Sequence, residues 1–126
     1  HYNYKPHPEY GFAAHSCGRL DGTQEMTELW ELASRMTANE ADFLRDVYDE
    51  EIRFTDEGIG RLLARIEALG LNKRTLTILA ADHGEEFLDH GWLAHTNTLY
   101  QELIRVPLIF RLPGPPSPRV VNQPVS

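Results

Sequence analysis

An α/β fold is predicted by three observations in the middle of this 126-residue chain. A long amphipathic helix runs through about residues 38–69. A tight loop follows, with Lys73 and Arg74. Then comes a short apolar strand, residues 76–81, which stops at Asp82-His83-Gly84. Helix, tight loop and buried strand make half of a βαβ unit.

The helix has a defined start and stop. Thr37-Ala38-Asn39-Glu40 fits a capping box, with Thr37 as N-cap and Glu40 at N3. Leu44, Tyr48, Ile52, Thr55, Ile59, Leu62, Leu63, Ile66 and Leu69 recur at steps of three and four, a stripe able to cover one side of a sheet. Gly70 supplies the C-terminal stop. At 1.5 Å per residue the helix is roughly 45 Å long, which calls for a larger sheet than residues 1–126 supply. Asp49, Glu50, Glu51, Asp56 and Glu57 are expected to form a solvated acidic face, with Arg53 pairing along it.

The strand lies in TLTILAADHGEE, residues 75–86. Its apolar run reads as buried. In open α/β sheets ligands bind beyond the carboxyl ends of strands, which is where Asp82 and His83 fall. His83, His90 and His95 sit within thirteen residues of one another, the last two in a loop over residues 84–98.

The flanking segments are less regular. Pro6 and Pro8 deny HYNYKPHPEY a regular helix or central strand and stiffen the backbone around His7. Residues 25–36 read as a short helix with Met26, Leu29, Trp30 and Leu32 on one face. Residues 98–105 are expected to hold a helical turn or two. Residues 106–112 read as a second strand, with Pro107 at an edge or strand entry. The tail, residues 113–126, has five of the eight prolines and reads as extended.

Composition narrows the function classes. A formal net charge of -7 argues against a nucleic-acid partner, because phosphate backbones need basic surfaces. A local metal ion would still allow an anionic substrate. Cys17 is the single cysteine, so no intrachain disulfide forms. No apolar run approaches the ~20 residues that cross a bilayer. The chain opens on His1 and reads as an excerpt of a longer protein.

Several of these motifs occur together in one family. YDEEIRFTDEGIGRLLARIEALGL, TLTILAADHGEEF and HGWLAHTNTLYQELIRVPLIFRLPG, in that order, resemble the sulfatases of the alkaline phosphatase superfamily, in the second half of their catalytic domain. PHPEY is similar to the family's PHxPY, and the GRLDGT segment adds a weaker match. The resemblance implies a mixed, mostly parallel sheet flanked by helices, with the long helix packed on one face. On this view residues 1–126 are a partial catalytic domain.

The resemblance also implies a site. Asp82 and His83 match the pair that ligates a divalent cation, commonly calcium. His7 matches a histidine near the sulfate or the leaving group, and His95 best matches a sulfate-contacting position. The residue types suit sulfate ester cleavage. A metal neutralises sulfuryl oxygens, and a positioned histidine protonates a leaving oxygen. Calcium prefers oxygen ligands, whereas imidazole suits manganese or zinc; the resemblance favours calcium, and magnesium is a further option. His90 reads as a structural loop histidine. The family's nucleophile, a cysteine converted to formylglycine or a serine, lies in a CxPSR or SxPSR motif that this sequence lacks. Cys17-Gly18-Arg19 is not that motif, and Cys17 reads as inert. A nucleophile and further metal-binding aspartates are expected upstream, and the chain alone is expected to be inactive.

The leading reading is a fragment of a sulfatase acting on a small-molecule or glycan sulfate ester. Two other readings stand beside it. One is a phosphodiesterase, phosphonate hydrolase or phosphoglycerol transferase of the same superfamily. The other is a non-catalytic metal-binding or interaction module.

Overall fold

The structure is a computed structural model that describes residues 4–95, 98–114 and 118–124. Its elements, in chain order, are α1 (Met26–Ala33), α2 (Ala38–Ala68), β1 (Thr77–Ala80), β2 (Glu86–Phe87), β3 (Leu93–Ala94), α3 (Gln101–Ile104) and β4 (Leu108–Arg111). The chain is mixed α/β, as expected.

The long helix is bounded by the signals in its sequence. Thr37 Oγ1 accepts the Glu40 N–H, and Glu40 Oε2 accepts the Thr37 N–H at 2.8 Å, closing the capping box. At the other end Gly70 has φ +68. The Leu71 N–H donates to the Ile66 carbonyl and the Gly70 N–H to the Glu67 carbonyl, the paired bonds of a Schellman stop.

The sheet differs from expectation. A mostly parallel sheet is not found among the described residues. Among the described residues there are two two-stranded sheets, β1 with β4 and β2 with β3, both antiparallel. Thr77 faces Arg111 and Ala80 faces Leu108. The reason lies in the connection between β1 and β4. A parallel neighbour needs a crossover that carries the chain back to the strand's starting end. Here the chain forms the β2–β3 hairpin and α3 near the end of β1. The Gly84 N–H bonds to the Leu103 carbonyl and the Glu85 N–H to the Glu102 carbonyl, so β4 starts beside the end of β1 and runs back along it. The hairpin itself falls inside what the sequence presents as a loop; its strands are too short for an alternating pattern to register.

The core gathers Tyr4, Leu20, Met26, Leu29, Phe43, Leu44, Val47, Phe87, Leu93 and Ala94. It joins the N-terminal loop, α1, the first part of α2 and the β2–β3 hairpin. Cys17 packs against it, and its backbone pairs with Leu20. The acidic face of α2 is only partly solvated, contrary to expectation. Glu50 and Glu51 are buried. Glu50 Oε2 accepts the His7 N–H at 2.7 Å, and Oε1 accepts those of Phe12 and Ala13. A buried carboxylate is stable where donors surround it, and the N-terminal loop supplies them. Residues 118–124 are exposed and carry no helix or strand, while 115–117 and 125–126 of the expected tail lie outside the described residues. Among the described residues no helix is long and apolar enough to cross a membrane.

Candidate active site at the end of β1

The site begins where β1 runs out. The Asp82 side chain is 93% exposed. Its Oδ1 accepts the His83 N–H at 3.1 Å and lies 3.8 Å from His83 Nε2. His83 Nδ1 lies 2.8 Å from the Gly84 carbonyl oxygen. A carbonyl can only accept, so Nδ1–H donates and Nε2 keeps the lone pair. Gly84 is required here for space, because a Cβ would run into the Glu102 carbonyl.

His95 is delivered to the same place by the hairpin. Ala94, just before it, has φ 72, a left-handed conformation that a non-glycine residue adopts at a cost. The His83 and His95 rings are stacked, with centroids 4.0 Å apart and planes at 25°. His95 Nδ1 lies 3.2 and 3.4 Å from the two oxygens of Glu85. A carboxylate acceptor fixes the proton on Nδ1 and again leaves Nε2 for a ligand.

Glu85 is the residue that sequence reasoning missed. Its side chain is 8% exposed. Burial, and after it the Glu85 carboxylate, push the pKa of Tyr4 and Tyr48 upward, so both phenols stay protonated beside it. The signal was available in the sequence: residues two apart on extended chain share a face, and Glu85 follows His83 by two. Ligand atoms of His83, Glu85 and His95 all lie within 4.8 Å of one another, and among the described residues they form the one such group. Asp82 is outside that group but close enough to His83 Nε2 to share a cation with it.

The other sequence-predicted residues sit elsewhere. His7 lies against α2. Its ring stacks on Phe54 with centroids 4.4 Å apart, Nε2 is 3.6 Å from Glu51 and Nδ1 is 3.6 Å from Glu9. Its side chain is 14% exposed. Among the described residues none of these contacts reaches His83, Glu85 or His95. His90 Nδ1 lies 3.2 Å from the buried Glu86, whose other oxygen accepts the Thr98 hydroxyl, and its ring stacks on Tyr100. That network fastens the hairpin to the segment entering α3.

Comparison with known proteins places the chain among sulfatases. The chain is 34% identical over 73 residues to an endo-4-O-sulfatase of Bacteroides thetaiotaomicron, covering 58% of this chain and 14% of that protein. It is 36% identical over 75 residues to an ulvan-active sulfatase of Formosa agariphila, covering 57% and 15%. It is 33% identical over 72 residues to human iduronate 2-sulfatase, covering 56% and 13%. The chain thus spans a small part of the length of the curated relatives it matches. No solved structure gives a match. The family model described as Sulfatase matches residues 2–126, which takes in the long helix, the Asp82-His83 strand end and the hairpin with His95. The chain belongs to the sulfatase family.

Proposed function

We propose that this chain is part of the catalytic domain of a divalent-metal-dependent sulfuric ester hydrolase, acting on a small-molecule or glycan sulfate ester. The observation that carries the reading is the stacked His83–His95 pair at the end of β1, with both Nδ1 atoms committed to protein oxygens. Several relatives are named for sulfated sugars or glycans, among them the N-acetylglucosamine-6-O-sulfatase of Bacteroides thetaiotaomicron.

In this reading Asp82 and His83 hold the cation. The donor chemistry fits, since an exposed carboxylate oxygen and an imidazole nitrogen with its lone pair free lie 3.8 Å apart. Both atoms can reach one ion at the ~2.0–2.6 Å typical of such bonds. A mixed nitrogen and oxygen pair suits manganese or zinc, while calcium, favoured by the family resemblance, would draw most of its oxygens from outside these residues. When bound, the cation neutralises charge on the sulfuryl oxygens. His95 presents Nε2 to the sulfate. His7 contacts the sulfate or protonates the leaving oxygen, a role that rests on the family resemblance. The nucleophile, a formylglycine in the family, comes from outside residues 1–126.

Replacing Asp82 with alanine in the full-length protein tests the reading. Divalent-cation affinity, measured by calorimetry, should fall at least about tenfold, and turnover of an aryl sulfate should fall with it. Unchanged affinity would remove Asp82 from the site.

A further inference from the structure

We propose that Glu85 is a positioning residue for His95, holding the Nδ1 proton so that Nε2 faces the substrate. Three observations support this. Both carboxylate oxygens lie within 3.4 Å of the single His95 Nδ1 atom. The Glu85 side chain is almost fully enclosed. Its backbone is tied to α3 through the Glu102 carbonyl. The carboxylate cannot swing out as a surface acid does, and a ring bonded to it is held in orientation.

Ligand atoms of Glu85, His83 and His95 also lie close enough to bind one ion together. Positioning is the better account of Glu85. A carboxylate that already accepts an imidazole N–H, and that sits in a largely buried setting beside Tyr4 and Tyr48, is spent on orientation, whereas Asp82 is open to solvent. Carboxylates that hold a functional imidazole by its far nitrogen are a general device for fixing its tautomer. This inference rests on the proposed role of His95, but its first readout does not.

That readout is the tautomer of His95 in the full-length protein carrying 15N-labelled histidine, with the His95 signals identified by their loss in His95→Ala. Neutral His95 should carry its proton on Nδ1 in the wild type and in Glu85→Gln, whose amide oxygen still accepts. It should shift toward the Nε2-protonated form in Glu85→Ala. A wild-type His95 protonated on Nε2 overturns the proposal without any variant having to fold. The second readout is kinetic. Glu85→Ala should lower kcat/KM for an aryl sulfate by about 10–100-fold, with Glu85→Gln restoring most of it and cation affinity unchanged in both. In a His95→Ala background, Glu85→Ala should add less than about twofold, as expected for residues acting as one unit. An additive loss would make Glu85 merely structural, and a tenfold loss of cation affinity would make it a ligand. A wild-type protein that cleaves no sulfate ester refutes the proposed function alone, and the tautomer then decides the role of Glu85.

Discussion

The two halves of α2 carry the same apolar periodicity and meet different fates. In the first half Ala41 is buried, and Phe43, Leu44 and Val47 share one buried cluster with residues of α1, the N-terminal loop and the β2–β3 hairpin. In the second half, Leu62 is exposed, as is Leu69 at the C-cap just past it. The sheet that follows is equally bare. Ile78 on β1 and Leu108, Ile109 and Phe110 on β4 are all exposed. Consecutive apolar residues on a strand point to both faces, the pattern of a strand buried on both sides. A pattern therefore says which face of an element seeks cover, and says nothing about where in the polypeptide the cover is encoded. His95 follows β3 of the packed hairpin, while Asp82 and His83 follow β1 of the bare sheet.

The largest expected effect follows from this contrast. Leu44→Ala should destabilise the 126-residue chain by about 2–5 kcal/mol in urea unfolding, because Leu44 is 1% exposed within a packed cluster. Leu62→Ala, at 59% exposure, should change stability by less than about 0.5 kcal/mol. Repeating the pair in the full-length protein sharpens the comparison, since Leu62→Ala should there move toward the cost of a core substitution. Equal effects of the two variants in the short chain would show that the halves do not differ.

The same contrast explains what was legible. The ends of α2 were readable because a capping box and a C-terminal glycine are local devices. The strand ending at Asp82-His83 was readable because a short apolar run and a polar stop are local too. Strand direction was not, because it depends on where the connection after His83 folds. The buried acids were misread because a wheel of polar residues does not reveal which loop will supply donors. A hint was present: Glu40, Leu44, Val47 and Glu51 follow one another at steps of four, three and four, so Glu40 and Glu51 share the face of two core residues. Glu85 is legible only through the alternation of the extended chain past the Asp-His pair, where it shares a face with His83.

Two glycines, one at the joint between the regions and one in the bare half, should respond in opposite directions. Gly84 joins β1 to the hairpin, and an alanine Cβ there meets the Glu102 carbonyl. Gly84→Ala should cost about 1–3 kcal/mol, as for other overpacked sites, and should disturb the His83–His95 stack. Gly60 lies within the exposed part of α2, and nothing stands within 4 Å of a Cβ built on it. Gly60→Ala should stabilise the chain by about 0.4–1 kcal/mol, mainly by restricting the unfolded state. Thermal unfolding of both variants checks the signs, and a stabilised Gly84→Ala would mean that α3 does not dock against the strand end.

Charge separates the two regions as well, and the smallest expected effect belongs to the surface ion pair. In the packed half, Glu40 is buried and accepts hydrogen bonds from Arg19 and Thr37. The Arg19 side chain, followed by the backbone N–H groups of Thr37 and Arg19, holds its pKa down to about 2. A carboxyl depressed in the folded state adds stability above its unfolded value, near 4.5, and loses it as pH falls toward the folded value. The wild type should therefore be more stable than Glu40→Gln at pH 6, and the gap should close between about pH 5 and pH 2. In the bare half, Arg53 meets Asp56 and Glu57 at 3.6 and 3.4 Å on an open surface. Such pairs contribute roughly 0–1 kcal/mol and are screened by salt. Glu57→Gln should shift the urea midpoint little at any pH, and the shift should vanish in high salt. A Glu40→Gln gap that also vanished in salt would place Glu40 among the surface pairs and end the distinction between the two halves on electrostatic grounds.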